Sequence, residues 1–231
     1  MTEFIHSAYN VLLIQEHKLD KRKATDAERF CSARGIAAAF SVRQDEAARE
    51  GTAVLVKLRE LALKQDDVTF DTCSDGRCTV ASFKCRHKKE KVASIYLPTR
   101  PNERGEAISQ VKRSNLLKGT TILGADHNCV PDLMLDAHSG YENAHARQWE
   151  AYLASLGLCD IARKQEGRVK GPYTRMPSSG CYTRIDRLLV RLESGVQHIA
   201  GVDEFSAQRT GPRPQSDLCT EKVPHKRGKR K

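Results

Sequence analysis

The sequence is short of several features, and each shortage narrows the reading. No apolar run approaches the roughly 18 residues of a membrane span, which argues against a transmembrane chain. Residues 1–10 carry neither a basic flank nor a long apolar centre, which argues against a secretory signal. There is no Gly-rich phosphate loop of the G-x-x-x-x-G-K or G-x-G-x-x-G kind. There is no internal repeat. None of the 8 cysteines pairs with another at Cys-x-x-Cys spacing, so buried reduced thiols are expected. The one local cluster, Cys73, Cys78, Cys85 and His87, matches no zinc-ligand spacing and reads as a hairpin.

What remains is a soluble globular balance. The 231 residues are 39% hydrophobic, and the mean hydropathy is −0.57. A chain of this mass buries about 70% of the surface it exposes unfolded, enough for one substantial core. One domain is expected over residues 1–220, followed by a basic tail over 221–231. The formal net charge is +10, and half of it lies in that tail, where Lys222, Lys226, Arg227, Lys229, Arg230 and Lys231 face only Glu221. Further clusters lie at Lys18, Lys21, Arg22 and Lys23 and at Arg86, Lys88, Lys89 and Lys91. Such clusters suit a polyanion, and nucleic acid is the commonest. A solvated tail without a partner is the plainer reading of the same charge.

Strand-like runs alternate with helical stretches. Val11–Ile14 is a β-branched-rich run that ends in Gln15-Glu16. Thr25-Asp26-Ala27-Glu28 is a capping-box pattern that predicts a helix to about Arg34, stopped by Gly35. Ala37–Val42 and Thr52–Lys57 read as strands. Val68–Cys73 and Arg77–Cys85 flank Ser74-Asp75-Gly76, a strong hairpin signal. Lys91–Leu97 is a further strand, closed by Pro98. A helix is predicted over Glu103–Lys118 and a strand over Thr120–Leu123. From Asn143, the spacing of Ala146, Trp149, Tyr152, Leu153 and Leu156 predicts an amphipathic helix that ends at Gly157, with Trp149 and Tyr152 in the core. Tyr182–Val190 and Val196–Phe205 complete the strands. The pattern implies an α+β or mixed sandwich.

The strand ends carry the chemistry. Glu16 closes one strand, Tyr96-Leu97-Pro98 another, and Gly124-Ala125-Asp126-His127-Asn128 a third. Thr183-Arg184-Ile185-Asp186-Arg187 and Ser216-Asp217 follow. Carboxylates at the ends of apolar strands are costly to bury and gather at a rim. Acids with an Asn there form a hard-oxygen site suited to Mg²⁺ or Mn²⁺. Each acid alone is most simply an ordinary polar strand terminus.

Taken in this order, the segments resemble the endonuclease/exonuclease/phosphatase superfamily, with its DNase I-like fold. The likeness runs from residue 11 to residue 217 and also takes in Gly51–Val56. The stretch Asp126–Asp132 with Leu135-Asp136, and Tyr173-Thr174 ahead of Arg-Ile-Asp-Arg, are most similar to LINE-type retrotransposon endonucleases. The resemblance implies a four-layer α/β/β/α sandwich and divalent-metal hydrolysis of a phosphodiester, with DNA as partner. A monomer away from membranes is expected, in an intracellular location, and the basic run Lys226–Lys231 suits nuclear entry. It implies that Glu16 and Asp217 bind Mg²⁺ or Mn²⁺ and that Asp126 orients the attacking water. It further implies that Asn128 and Tyr96 hold the phosphate, and that Asp186 orients the His of a closing Ser-Asp-His motif.

Two departures stand out. Only ten residues precede Val11, so the family's Asn-bearing first strand is expected to be missing, along with its closing strand. The closing motif reads Ser216-Asp217-Leu218, without its His. An impaired enzyme, or a nucleic-acid-binding remnant without turnover, is therefore the alternative to an active nuclease. A phosphoinositide or other phosphomonoester substrate also stays open.

Overall fold

The structure is a computed structural model and describes residues 2–43, 50–137, 144–166, 173–175 and 182–191. The predicted strands at 196–205, the helix start at Asn143, the Ser216-Asp217-Leu218 motif and the basic tail lie outside the described residues.

β-Branched and aliphatic runs form the strands because their alternate side chains can all be buried between layers. In chain order the elements are α1 (Thr2–His6), β1 (Val11–Gln15), α2 (Lys21–Ser32), β2 (Ile36–Ser41) and β3 (Thr52–Lys57). A 3-10 turn at Gln65–Asp67 leads to β4 (Thr69–Thr72), β5 (Cys78–Cys85), β6 (Lys88–Tyr96) and α3 (Pro101–Ser114). Then come β7 (Ile122–Asp126), α4 (Leu133–Asp136), α5 (Ala146–Ser155), β8 (Leu158–Asp160), α6 (Ile161–Glu166) and β9 (Asp186–Arg191). Among the described residues the strands make a three-stranded sheet, β1-β3-β2, and a six-stranded sheet, β4-β5-β6-β7-β9-β8. Only β6 and β7 run parallel; the other pairs are antiparallel. β1 pairs only with β3 among the described residues, leaving its outer side as a sheet edge.

Period-two alternation divides the core into layers. Val54, Val56, Ala81, Phe83 and Val92 pack between the sheets. Ile95, Leu97, Leu123 and Leu189 point the other way, onto Ile108 and Val111 of α3 and Trp149 and Leu153 of α5. Phe40, Ala53 and Leu55 point outward from the small sheet and meet Phe4 of α1 and Ala24 and Cys31 of α2. Four layers result, helices outside and sheets inside, as expected for the sandwich. Trp149 is fully buried, in line with its predicted core role.

Several boundaries differ from those predicted. α2 starts at Lys21 because Asp20 caps it, accepting from the Lys23 amide at 2.8 Å. The Thr25 hydroxyl donates back to the Lys21 carbonyl at 3.0 Å instead of capping. α3 starts at Pro101 and ends before Asn115, which takes a left-handed backbone, φ 53°. β7 runs past Leu123 to Asp126, while Thr120 belongs to a turn closed by its amide on Leu117 O at 3.0 Å. β9 begins at Asp186. α1, α4, β8 and α6 carry too short an apolar pattern to be read from periodicity. Cys78 and Cys85 pack into cores on opposite faces of β5, so the cysteine cluster does not converge. Among the described residues no helix is long and apolar enough to cross a membrane.

The sheets approach closely at Gly124. A Cβ there would lie 2.7 Å from Leu13 Cδ1 and 3.1 Å from Leu13 Cβ. Gly124→Ala is expected to push the sheets apart and destabilise the chain by about 1–3 kcal/mol, the usual range for overpacking. Urea unfolding of the two proteins measures it.

Candidate active site

Strand register builds the site. Tyr96 pairs with Asp126 across β6–β7, and Asp126 pairs with Asp186 across β7–β9. The three form one row at adjacent strand ends. Their positions alternate with Ile95, Ala125 and Leu189, which lie in the core beneath the helices, so the row faces the small sheet. β1 supplies the fourth member. The Gln15 amide donates to Ser94 Oγ at 2.8 Å and to Gly124 O at 3.3 Å, and Ser94 Oγ donates to Ile14 O at 2.7 Å. These bonds fasten the end of β1 across the sheet gap. The next residue, Glu16, then turns with φ 53°, which brings its carboxylate near enough to the Tyr96 hydroxyl to raise that phenol.

Asp126, His127 and Asn128 form a tight turn. Asp126 Oδ1 accepts from the Asn128 amide at 3.0 Å, an Asx arrangement that lets Asn128 adopt φ 44°. Asn128 is buried, and its Nδ2 donates to Leu97 O at 2.8 Å. The His127 amide donates to Ile185 O at 2.9 Å, tying the turn to the approach of β9. The His127 ring is fully buried, and Nδ1 accepts from Trp149 Nε1 at 2.6 Å. Burial, then the Arg187 and Arg184 charges, holds this imidazole well below its ordinary pKa, so it is neutral.

Burial dominates the electrostatics, and like charges add to it. The Asp126 carboxyl is pushed up to about 8, first by burial and then by Asp186, with Glu16 adding to the effect; the Asn128 amide and Arg175 act against it. Asp186 is also raised, by burial first and by Glu16, against a hydrogen bond from Thr174. Burial, then the charge of Glu16 and the hydrogen bond to it, raises the Tyr96 phenol. A cavity of about 700 Å³ opens beside Tyr96, walled by Glu50, Arg77, Pro98, Thr99 and Glu103.

Glu16, Tyr96, Asp126, Asn128 and Asp186 thus come together, while Asp217 lies outside the described residues. Sequence reasoning missed three supports. Thr174 Oγ1 accepts from the Ile185 and Asp186 amides at 3.1 and 3.0 Å and so holds the carboxyl end of the row. Trp149 holds the turn through His127. Buried Asp136 accepts from Arg184 Nε at 2.7 Å and from Arg163, bracing the loops on either side of the site. Tyr173-Thr174 and Leu135-Asp136 were visible as motifs, but not their contacts.

The donor set is all hard oxygen, and the rise of Asp126 and Asp186, due first to burial and in part to neighbouring carboxylates, is what a cation would oppose. That chemistry fits Mg²⁺ or Mn²⁺. Among the described residues, however, no three His, Cys, Asp or Glu side chains are grouped so that they could hold one ion.

No protein-family model matches the sequence, and no curated protein matches it. Solved structures do match in shape. The AP endonuclease LMAP from Leishmania major is 13% identical, with a TM-score of 0.63, over 83% of this chain and 72% of that one. The Xenopus laevis APE2 catalytic domain is 18% identical, with a TM-score of 0.54, over 80% of this chain and 75% of that one. The human Nocturnin catalytic domain, solved with a sulfate anion, is 13% identical, with a TM-score of 0.51, over 79% and 69%. At such identities the likeness is one of fold, and the fold is the DNase I-like sandwich.

The raised carboxyls make stability depend on pH. Asp126 titrates near 8 when folded against an ordinary 3.8. The folded chain therefore binds more protons than the unfolded chain between those values, and stability falls as pH rises through that window. Melting temperatures measured from pH 7 to pH 8.5 without divalent ions should decline, above the range in which the buried, neutral His127 works the other way. Asp126→Asn should flatten the decline and melt higher at pH 8, by about 2–4 °C per kcal/mol recovered in a chain of this size.

Proposed function

We propose that the chain is a divalent-metal-dependent phosphodiesterase that nicks DNA, of the retrotransposon-endonuclease type. The observation that carries this reading is the convergence of Glu16, Tyr96, Asp126 and Asp186 on one rim, from strands far apart in sequence. The basic charge suits a nucleic-acid substrate, and the LINE-type motifs at residues 126–136 and 173–187 favour the retrotransposon form.

Each residue has a role in such a reaction. Glu16, with Asp217, would hold Mg²⁺ or Mn²⁺, which would neutralise the phosphate anion and the charge that develops on it. Asp126 titrates near 8, close to the working pH that a general base needs to take a proton from water. Its Asx turn fixes its direction. Tyr96 keeps its proton beside Glu16, so its hydroxyl is available as a donor to a phosphate oxygen. Asn128 lines the same turn, where its amide is set by Leu97 O. Asp186, held by Thr174, adds negative charge that favours both a bound cation and a protonated neighbour.

Leu218 stands where the resembled family has His, and this favours slow turnover. Losing one general acid or base costs about 10²–10⁴-fold. Supercoiled plasmid incubated with Mg²⁺ should be nicked slowly. Glu16→Gln and Asp126→Asn should each lower the rate about 10²-fold or more, and Leu218→His should raise it. Equal nicking by the parent and both acid variants would remove this site from the reaction. DNA binding that weakens with salt and on deletion of residues 221–231, without any nicking, would favour the non-enzymatic remnant. Binding also has a readout apart from activity. Mg²⁺ should raise the melting temperature more at pH 8 than at pH 5, because the ion and the protons compete for the same carboxylates.

A further inference from the structure

Two cysteines face each other away from the acid row. Continuing the β4–β5 register one pair past Thr72 and Thr79 sets Cys73 directly opposite Cys78. The Cys73 amide donates to Cys78 O at 2.9 Å. Both side chains lie on the helix-covered face of the sheet; Cys78 is fully buried and Cys73 partly exposed. The two thiols act on each other's ionisation, Cys73 being lowered and Cys78 raised by its neighbour. Directly opposed residues hold their Cβ atoms about 4.5–5.5 Å apart. A disulfide needs about 3.5–4.5 Å, so closure requires a shift of only about 1 Å.

We propose that Cys73 and Cys78 are a redox-active pair that forms a reversible intrachain disulfide by exchange with a low-molecular-weight disulfide. Cys73 is the attacking sulfur, being the accessible one, and its neighbour Cys78 favours its thiolate. Its sulfur attacks one sulfur of the small disulfide, which leaves as a thiolate and takes up a proton. The Cys78 thiol then loses its proton and attacks the Cys73 sulfur of the mixed disulfide, expelling the second small thiol. The cysteines give up two electrons and two protons, and the small disulfide gains them as two thiols. Cys78 is raised too, first by Cys73 and then by burial, and the Cys73 contribution ends once Cys73 is tied up in the mixed disulfide. The thiols of Cys31 and Cys129 are pushed up to about 11, chiefly by burial, and have no cysteine beside them among their causes.

The bond would close the loop Ser74–Arg77, and that loop reaches the site. The Arg77 carbonyl accepts from the Tyr96 amide at 3.0 Å, and the guanidinium lies 5.7 Å from the Tyr96 ring centre. Its Nη2 pairs with Glu50 at 2.8 Å. Oxidation therefore stiffens the wall of the cavity beside Tyr96. The pair needs no phosphodiester cleavage to operate, so failure of the proposed activity leaves this inference standing.

The test equilibrates the native full-length chain with oxidised and reduced glutathione at graded ratios. Free thiols are trapped by alkylation, and the digested peptides are weighed. The expected product is a 73–78 crosslink, about 2 Da lighter than the dithiol, that dithiothreitol reverses. Cys78→Ser should stop the reaction at a glutathione adduct on Cys73, and Cys73→Ser should leave Cys78 reduced. Amide exchange at Gly76 and Arg77 should slow roughly tenfold on oxidation. Cys73 and Cys78 staying alkylatable at the most oxidising ratio, or Cys73 bridging to another cysteine, would overturn the pair. Unchanged exchange at Gly76 and Arg77 would overturn its link to the cavity wall.

Discussion

The arrangement depends on how closely two sheets can approach where their strands end. Gly124 has no side chain, so Leu13 of the small sheet can lie against the β7 backbone. Gln15 then donates to Ser94, which donates in turn to Ile14 O across the gap. This contact brings Glu16 to the end of a sheet to which it does not belong. Without it the large sheet would still align Tyr96, Asp126 and Asp186, but it would lack the acid from the opposite layer. The packing constraint and the chemical constraint therefore meet at one small residue.

The row of acids is a local cost that the surroundings meet in part. Two carboxyls directly opposed on antiparallel strands repel, and burial adds to the penalty. The Asn128 amide and Thr174 each satisfy one member. What they leave unbalanced appears as an Asp126 carboxyl pushed up to about 8, with Asp186 raised as well. Strain of this kind persists where rigid structure enforces it, and here the enforcing elements are buried: the His127–Trp149 bond and the Asp136–Arg184 pair.

Much of this architecture could be read from the chain. Val11–Gln15, Thr52–Lys57 and Cys78–Cys85 are strongly apolar, β-rich runs, and Asp75-Gly76 marks its turn by residue type. The row of acids could be read because strand ends are where acids can stand beside apolar runs. Other features left no local signal. The β5–β6 turn uses Arg86 and His87, both left-handed with φ 48° and 69°, where Asn or Gly would have been the cue. The start of α2 was misplaced because a single capping Asp outweighed a fuller sequence pattern five residues on. Thr174 and Trp149 act through contacts spanning 11 to 22 residues of chain, and no periodicity encodes such partnerships.

The chain has a single tryptophan, and its indole N–H is spent on the imidazole between Asp126 and Asn128. Ultraviolet emission from the whole molecule therefore originates one hydrogen bond away from the carboxyl row. An optical signal free of any attached dye reports on the neighbourhood of that turn, with no competing fluorophore of its kind elsewhere in the polypeptide.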